Sequence, residues 1–441
     1  MTVLLFALGV LLFAVGVAVS IGLHEMGHLI PGKLFNVKVT QFFVGFGRTL
    51  WSTRRGETEY GVKAIPLGGY CKLIGMVPPD PHDAEQGPDR VKSRNTGMFA
   101  QLVDDARQAE YEHVDPADHD RLFYTKPAWK RIVIMGSGVA INLVLAFVLF
   151  AISFIGYGVY QSTTTVAGVS TCVIAVTQAN KDQAQRACTG SDPKAPAKKA
   201  GLQPGDRIVA FNGKQMRSWD DVTKAIRGNE AGAATIVVDR HGRQLTLRTN
   251  TTVSPRLDPN NPERISKVGF LGVVPGQERV HKSLGFVVTT MADGTWQTLQ
   301  TLGALPNKLY HVGRAALGLE QRDPNGPMSV VGAGRVAGEL VSRPGTPLLD
   351  GLFSVITLVA GLNLFLGLIN LVPLPPFDGG GIATTLYEAI RRRWAKLRGK
   401  PDPGGFDSAK LLPLTYAMAM VILLVSVILI FADIVAPVSL S

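Results

Sequence analysis

Four apolar stretches constrain this chain more than any other feature: residues 3–30, 132–159, 352–372 and 411–435. Each is close to the roughly 20 residues that a helix needs to cross about 30 Å of hydrocarbon, where only a backbone that satisfies its own polar groups is tolerated. Composition agrees, since 46% of the 441 residues are hydrophobic, only 18% are charged, and mean hydropathy is +0.18. An ordinary soluble protein is excluded, and a polytopic α-helical membrane protein with about four transmembrane helices is expected. The first stretch carries no charge before His24, so it lacks the basic leader of a cleaved secretory signal.

Orientation follows from the basic residues beside the spans. Lys33, Lys38, Arg48, Arg54 and Arg55 follow the first span; Lys126, Lys130 and Arg131 precede the second; "RRRWAKLRGK" at 391–400 separates the third from the fourth. Lys and Arg are retained on the cytoplasmic side, which places both termini and the stretch from about 160 to 350 outside. The net charge of +11 is thereby read as topology and contact with the lipid bilayer. With neither an aromatic-rich RNA motif nor a DNA-binding helix, no nucleic-acid partner is expected.

Between spans one and two, "VGFGRTL" and "TEYGVKAIPLGGYCKLIGM" alternate apolar and small residues around Gly45, Gly47, Gly68 and Gly69, which predicts short strands and tight turns. Residues 77–125 are polar and acidic and read as a cytoplasmic insertion with one helix at 96–111. Across 200–249, a turn at Pro204 leads to a strand at 207–211, a turn at Asn212-Gly213, a helix capped by Ser218 and two strands joined at His241-Gly242. This run, "GLQPGDRIVAFNG" above all, resembles a PDZ domain, a module that binds peptide as an added strand; the alternative is a β-rich domain that only fills space or excludes large proteins. From 284 to 348, apolar residues recur at helical spacing without a span-length core, which predicts a helix lying on the outer membrane surface.

The expected organisation is therefore 1–30, transmembrane helix one; 31–76, a membrane-associated cytoplasmic β-sheet; 77–125, the insertion; 126–159, transmembrane helix two; and 160–275, an extracytoplasmic β-rich PDZ-like domain. It continues with 276–350, an interfacial segment; 351–380, transmembrane helix three; 381–410, a basic cytoplasmic segment; and 411–436, transmembrane helix four.

Within the first span stands "HEMGH", residues 24–28. H-E-x-x-H on a helix sets His24 and His28 one turn apart on one face, where they can hold one Zn²⁺, with Glu25 beside them as general base and later acid. Three ionisable residues within five positions of a membrane helix cost a few kcal/mol each and call for a compensating function. A catalytic zinc needs a third ligand, and "NLVPLPPFDGG" at 370–380 supplies a candidate. Pro373, Pro375 and Pro376 cannot continue a helix, so the backbone opens near Asp378, and open backbone at membrane depth belongs beside a cavity. Spans one and three run in the same direction, so His28 and Asp378 reach the same side. The alternative for Asp378 is an N-cap of the following helix.

Together, "HEMGH", "VGFG", "IPLGGY", "GSGVAIN" at 136–142, the PDZ-like run and "NLVPLPPFDGG" resemble the site-2 proteases, intramembrane zinc metalloproteases, and their bacterial branch that cuts anti-sigma factors. The resemblance implies one zinc held by His24, His28 and Asp378, with Glu25 catalytic. It implies substrate contacts at Asn142, Asn370 and the β-sheet carrying Gly45, Gly47, Gly68 and Gly69. It further implies a bacterial plasma-membrane location and a single-span substrate, an anti-sigma factor first trimmed outside by another protease. Two positions depart from the family pattern: Phe377 replaces a leucine, and Gly381 a frequent histidine.

A non-catalytic scaffold would have an incomplete ligand set, and a transporter would show paired broken spans in two repeated halves; neither pattern is present. Cys71 falls in the cytoplasmic segment, whereas Cys172 and Cys188 both fall outside, where an oxidising compartment permits a disulfide.

Overall fold

The computed structural model describes residues 2–78, 116–176, 187–258, 261–323 and 326–438. The helix expected at 96–111 lies outside them. The chain forms two units, Met1–Tyr157 with Ser283–Ser441, and Gly158–Lys282.

In the first unit, helices at Thr2–Leu34, Ala128–Tyr157, Leu348–Ile369 and Ser408–Val435 are long and apolar enough to cross a membrane. The first, α1 (Thr2–Leu34), packs against α2 (Ala128–Ala151) through paired glycines. A Cβ on Gly27 would lie 2.8 Å from the backbone of Gly138, so neither position admits a larger residue without pushing the helices apart.

After α1 come β1 (Val39–Arg55) and β2 (Thr58–Leu73). Short strands are expected here, but the two are long and bent. Phe42 pairs with both Tyr60 and Cys71, and Val44 with both Val62 and Gly69. The bend requires Gly45 and Gly47, at φ of +97° and +82°; a Cβ on Gly45 would sit 2.9 Å from the Lys63 carbonyl oxygen.

The segment read as interfacial forms α3 (Leu284–Gly303), α4 (Leu305–Ala316) and α5 (Val330–Ser342). A single surface helix is not what forms. Pro306 lacks an amide hydrogen and its ring collides with the preceding turn, so the helix breaks at Ala304. Helix α5 buries Ala337 and Val341 against Phe13 and Val17 of α1 and so belongs to the bundle. Helix α6 (Leu348–Ile369) ends before the prolines, and α7 (Asp378–Leu397) begins after them. The Gly379 amide donates to the Asn370 carbonyl at 2.7 Å and closes the break. Helix α8 (Leu412–Val435) follows.

The second unit holds a sheet of β3 (Val159–Val169), β4 (Arg207–Phe211), β5 (Lys214–Gln215), β6 (Ala233–Arg240), β7 (Arg243–Asn250) and β10 (Val273–Val280), in the order β10-β3-β4-β6-β7 with β5 on β4. Strands β8 (Thr252–Asp258) and β9 (Asn261–Phe270) form a separate hairpin. Ser218 caps the helix Trp219–Gly228 through a reciprocal pair with Asp221. Its main apolar cluster is built on Val166, Ile208, Phe211, Val222 and Ile236. Because β10 pairs with β3 out to Val280, this unit closes at Lys282 and not at 275. Cys172 and Cys188 form a disulfide, and Cys71 is free.

Candidate metal centre

Helical geometry sets His24 and His28 on one face of α1, their rings edge to face with centroids 5.0 Å apart. Space for them comes from α2. A Cβ on Gly138 would lie 2.5 Å from His28 Nε2 and 2.9 Å from His24 Cε1, so this turn of α2 is open only because residue 138 is glycine.

Asp378 arrives from the other side. It is the first helical residue of α7, after Phe377, and its side chain caps nothing, which removes the N-cap alternative. Its Oδ2 stands 3.3 Å from His24 Nε2 and 3.3 Å from His28 Nε2, and the two Nε2 atoms are 3.3 Å apart. Among the described residues, this is the group of three whose ligand atoms converge as a metal site requires.

Tautomer chemistry says what belongs at the centre of that triangle. His28 Nδ1 lies 2.8 Å from the Ile134 carbonyl, which can only accept, so Nδ1 carries the hydrogen and a neutral His28 presents a lone pair at Nε2. That lone pair faces a carboxylate oxygen with no hydrogen-bond donor of its own. Two acceptors facing each other at 3.3 Å repel until a cation joins them, and His24 Nε2 stands at the same distance from both. A tetrahedral zinc with bonds of 2.0–2.1 Å spaces its ligand atoms about 3.3–3.4 Å apart, so the triangle fits the ion in donor type and in size.

Glu25 is buried beside the two histidines, at 9% exposure, and faces strand β2. Gly69 of the same strand comes close enough that a Cβ would strike Glu25 Cγ at 2.9 Å. All four residues line a cavity of about 570 Å³. Asn142, Asn370, Gly68 and Gly69 line it too; Gly45 and Gly47 do not, and serve the bend of the sheet instead. Gly381 is also on the wall, where a Cβ would meet Met135 Sδ at 3.0 Å, so Met135 occupies part of the space that a larger side chain would take.

Sequence reading missed the residues that hold α7 in place. Arg131 of α2 grips Glu388 of α7 with two bonds, at 2.8 and 3.2 Å, both side chains buried. The Phe406 amide donates to the same carboxylate at 3.1 Å. Asp378 is thereby tied, through its own helix, to the helix that backs both histidines.

The pattern that defines peptidase family M50 matches residues 12–401, a span containing every one of these site residues except Phe406. The chain belongs to peptidase family M50. This is the site-2 protease family to which the motifs point. The M50 chain is 34% identical over 450 residues to the zinc metalloprotease Rip1 of Mycobacterium tuberculosis strain H37Rv, with 99% of this chain and 100% of the relative covered. It is 33% identical over 450 residues to Rip1 of Mycolicibacterium smegmatis, with 99% of each covered. It is 29% identical over 426 residues to the metalloprotease MmpA of Caulobacter vibrioides, with 92% of each covered.

Proposed function

We propose that this M50 peptidase is a zinc metalloendopeptidase that hydrolyses a peptide bond in or near the transmembrane segment of a single-span membrane protein. The observation that carries the reading is the convergence of His24, His28 and Asp378 beside Glu25 in a cavity walled by apolar helices. Bound there, Zn²⁺ supplies Lewis acidity and makes water a nucleophile near neutral pH. Glu25 takes the proton from that water and hands it to the leaving amine. Asn370, on the cavity wall, donates a hydrogen bond to the substrate carbonyl as it gains charge.

A helical substrate hides its scissile carbonyl in its own hydrogen bonds and must unwind to be cut. Gly68 and Gly69 present the β2 backbone to the cavity without side chains in the way, and an unwound substrate pairs there as an added strand. The substrate is an anti-sigma factor already trimmed on the outer face, and the PDZ-like unit, outside with both termini, filters what enters. Support comes from the basic residues at the inner ends of the spans and from the apolar helices.

Cells carrying Glu25→Gln should accumulate trimmed single-span proteins that wild-type cells clear, as read by quantitative proteomics of membrane fractions. An unchanged set of membrane stubs would contradict the reading.

A further inference from the structure

Helix α2 supplies no candidate metal ligand, yet it touches the outer nitrogen of both histidines. For His28 the partner is the Ile134 carbonyl, at 2.8 Å from Nδ1. For His24 it is Asn142, two turns further along α2, whose carboxamide is placed with Nδ2 3.2 Å from Nδ1 and with Oδ1 buried and without a hydrogen-bond partner. Asn142 is 1% exposed. Gly138 lies between the two, where its missing side chain leaves room for the imidazoles.

We infer that Asn142 is a positioning residue for the metal: it fixes the tautomer and ring orientation of His24, and is not primarily a contact for substrate. The inference rests on the metal reading given above.

For His24 to offer Nε2 to a metal, that nitrogen must carry a lone pair, so in the neutral ring Nδ1 carries the hydrogen and needs an acceptor. A carboxamide has one acceptor end and one donor end of nearly equal size, and a half-turn exchanges them without changing the space they fill. That half-turn brings the partnerless Oδ1 toward Nδ1 and gives His24 the same kind of outer partner that the Ile134 carbonyl gives His28. With Nδ2 there, the hydrogen moves to Nε2 and ligation is lost. Metal-bound histidines almost always donate their other ring hydrogen to an oxygen, and losing that oxygen costs affinity. Spacing is what makes the arrangement possible: residues 134, 138 and 142 stand four apart and share one face of α2.

The test uses full-length protein in detergent, with Zn²⁺ affinity measured by competition against a chromophoric chelator. Asn142→Leu, which keeps the volume and removes the acceptor, should weaken zinc roughly 10- to 100-fold. Asn142→Asp, which offers only oxygen to Nδ1, should keep wild-type affinity or exceed it, and its Co²⁺-substituted form should keep the wild-type visible spectrum. The inference is overturned if Asn142→Leu holds zinc as tightly as wild type, or if Asn142→Asp loses as much as Asn142→Leu. Should Asn142→Leu not yield folded protein, Asn142→Asp decides alone, with zinc retained in support and zinc lost against. A wild-type protein that binds no zinc would instead bring down the metal reading itself.

Discussion

The two units solve the problem of specifying a structure in opposite ways. In Gly158–Lys282 one large cluster is apolar, and charge pairs such as Lys224–Asp220 and Arg207–Asp239 sit at the surface. Its buried carboxylate Asp206 is clamped by Arg240 at 2.6 and 2.8 Å. In the helical unit, ionisable groups lie between the helices. Among the described residues they include the two histidines with Glu25 and Asp378, Arg131 with Glu388, and Arg322 with Asp433 at 2.9 Å. Water drives apolar groups together in the first case, so an apolar core is enough. Against lipid, apolar contact does not tell a neighbouring helix from a fatty-acid chain. Close glycine crossings and polar partners must then do the discriminating.

That contrast can be broken most severely at Arg131. Arg131→Leu leaves the buried Glu388 with only the Phe406 amide and the half-exposed Arg392, at 3.4 Å, and should destabilise the helical unit by about 3 kcal/mol, while Arg131→Leu with Glu388→Leu should recover most of the loss. Thermal unfolding in detergent measures both; a single variant as stable as wild type would place this pair with surface pairs. In the other unit, Ile236→Ala opens a cavity in the apolar core and should cost about 2–5 kcal/mol locally. Hydrogen exchange should rise across β4, β6 and β7 while zinc content stays unchanged; loss of zinc would mean that the two units are not independent.

A smaller effect sharpens the comparison by pH. The Arg240 guanidinium holds the Asp206 carboxyl below the usual carboxylate range. A depressed folded pKa stabilises fully above the unfolded value, about 3.9, and is lost as pH falls through the folded value. Amides around Asp206, measured against their intrinsic exchange rates, should therefore lose protection below about pH 4 in the wild type. Arg240→Ala should show that lower protection already at neutral pH; a pH response identical in both proteins would mean that the clamp does not hold this region. Least of all, Lys224→Ala should leave the melting temperature unmoved, since its pair with Asp220 is exposed. A measurable drop would show that surface charge matters more in this unit than its core implies.

Legibility in the sequence follows the same divide. The four long helices are readable because length and apolarity are local properties, and the strand, capped helix and hairpin of 207–250 because Asn212-Gly213, Ser218 and His241-Gly242 are local turn and cap chemistry. His24 and His28 are legible from helical spacing, and Asp378 from the prolines before it. What is not legible is long-range or carried by backbone. Arg131 and Glu388 are 257 residues apart, and the partner of His28 is a main-chain carbonyl that any residue would supply. Two glycine pairs in the β segment look alike on paper, yet Gly68-Gly69 reaches the cavity and Gly45-Gly47 only bends the sheet. The fold of β1 and β2 onto each other decides which is which.

In the proposed mechanism three side chains hold the metal and a fourth, Glu25, moves the proton. Metal analysis and cleavage of a single-span substrate, measured on the same purified preparations of Glu25→Gln and Asp378→Ala, separate these roles. Glu25→Gln should carry one zinc per chain and cleave nothing, and Asp378→Ala should neither hold zinc nor cleave. Cleavage at the wild-type rate by Glu25→Gln, or full zinc in Asp378→Ala, would contradict it.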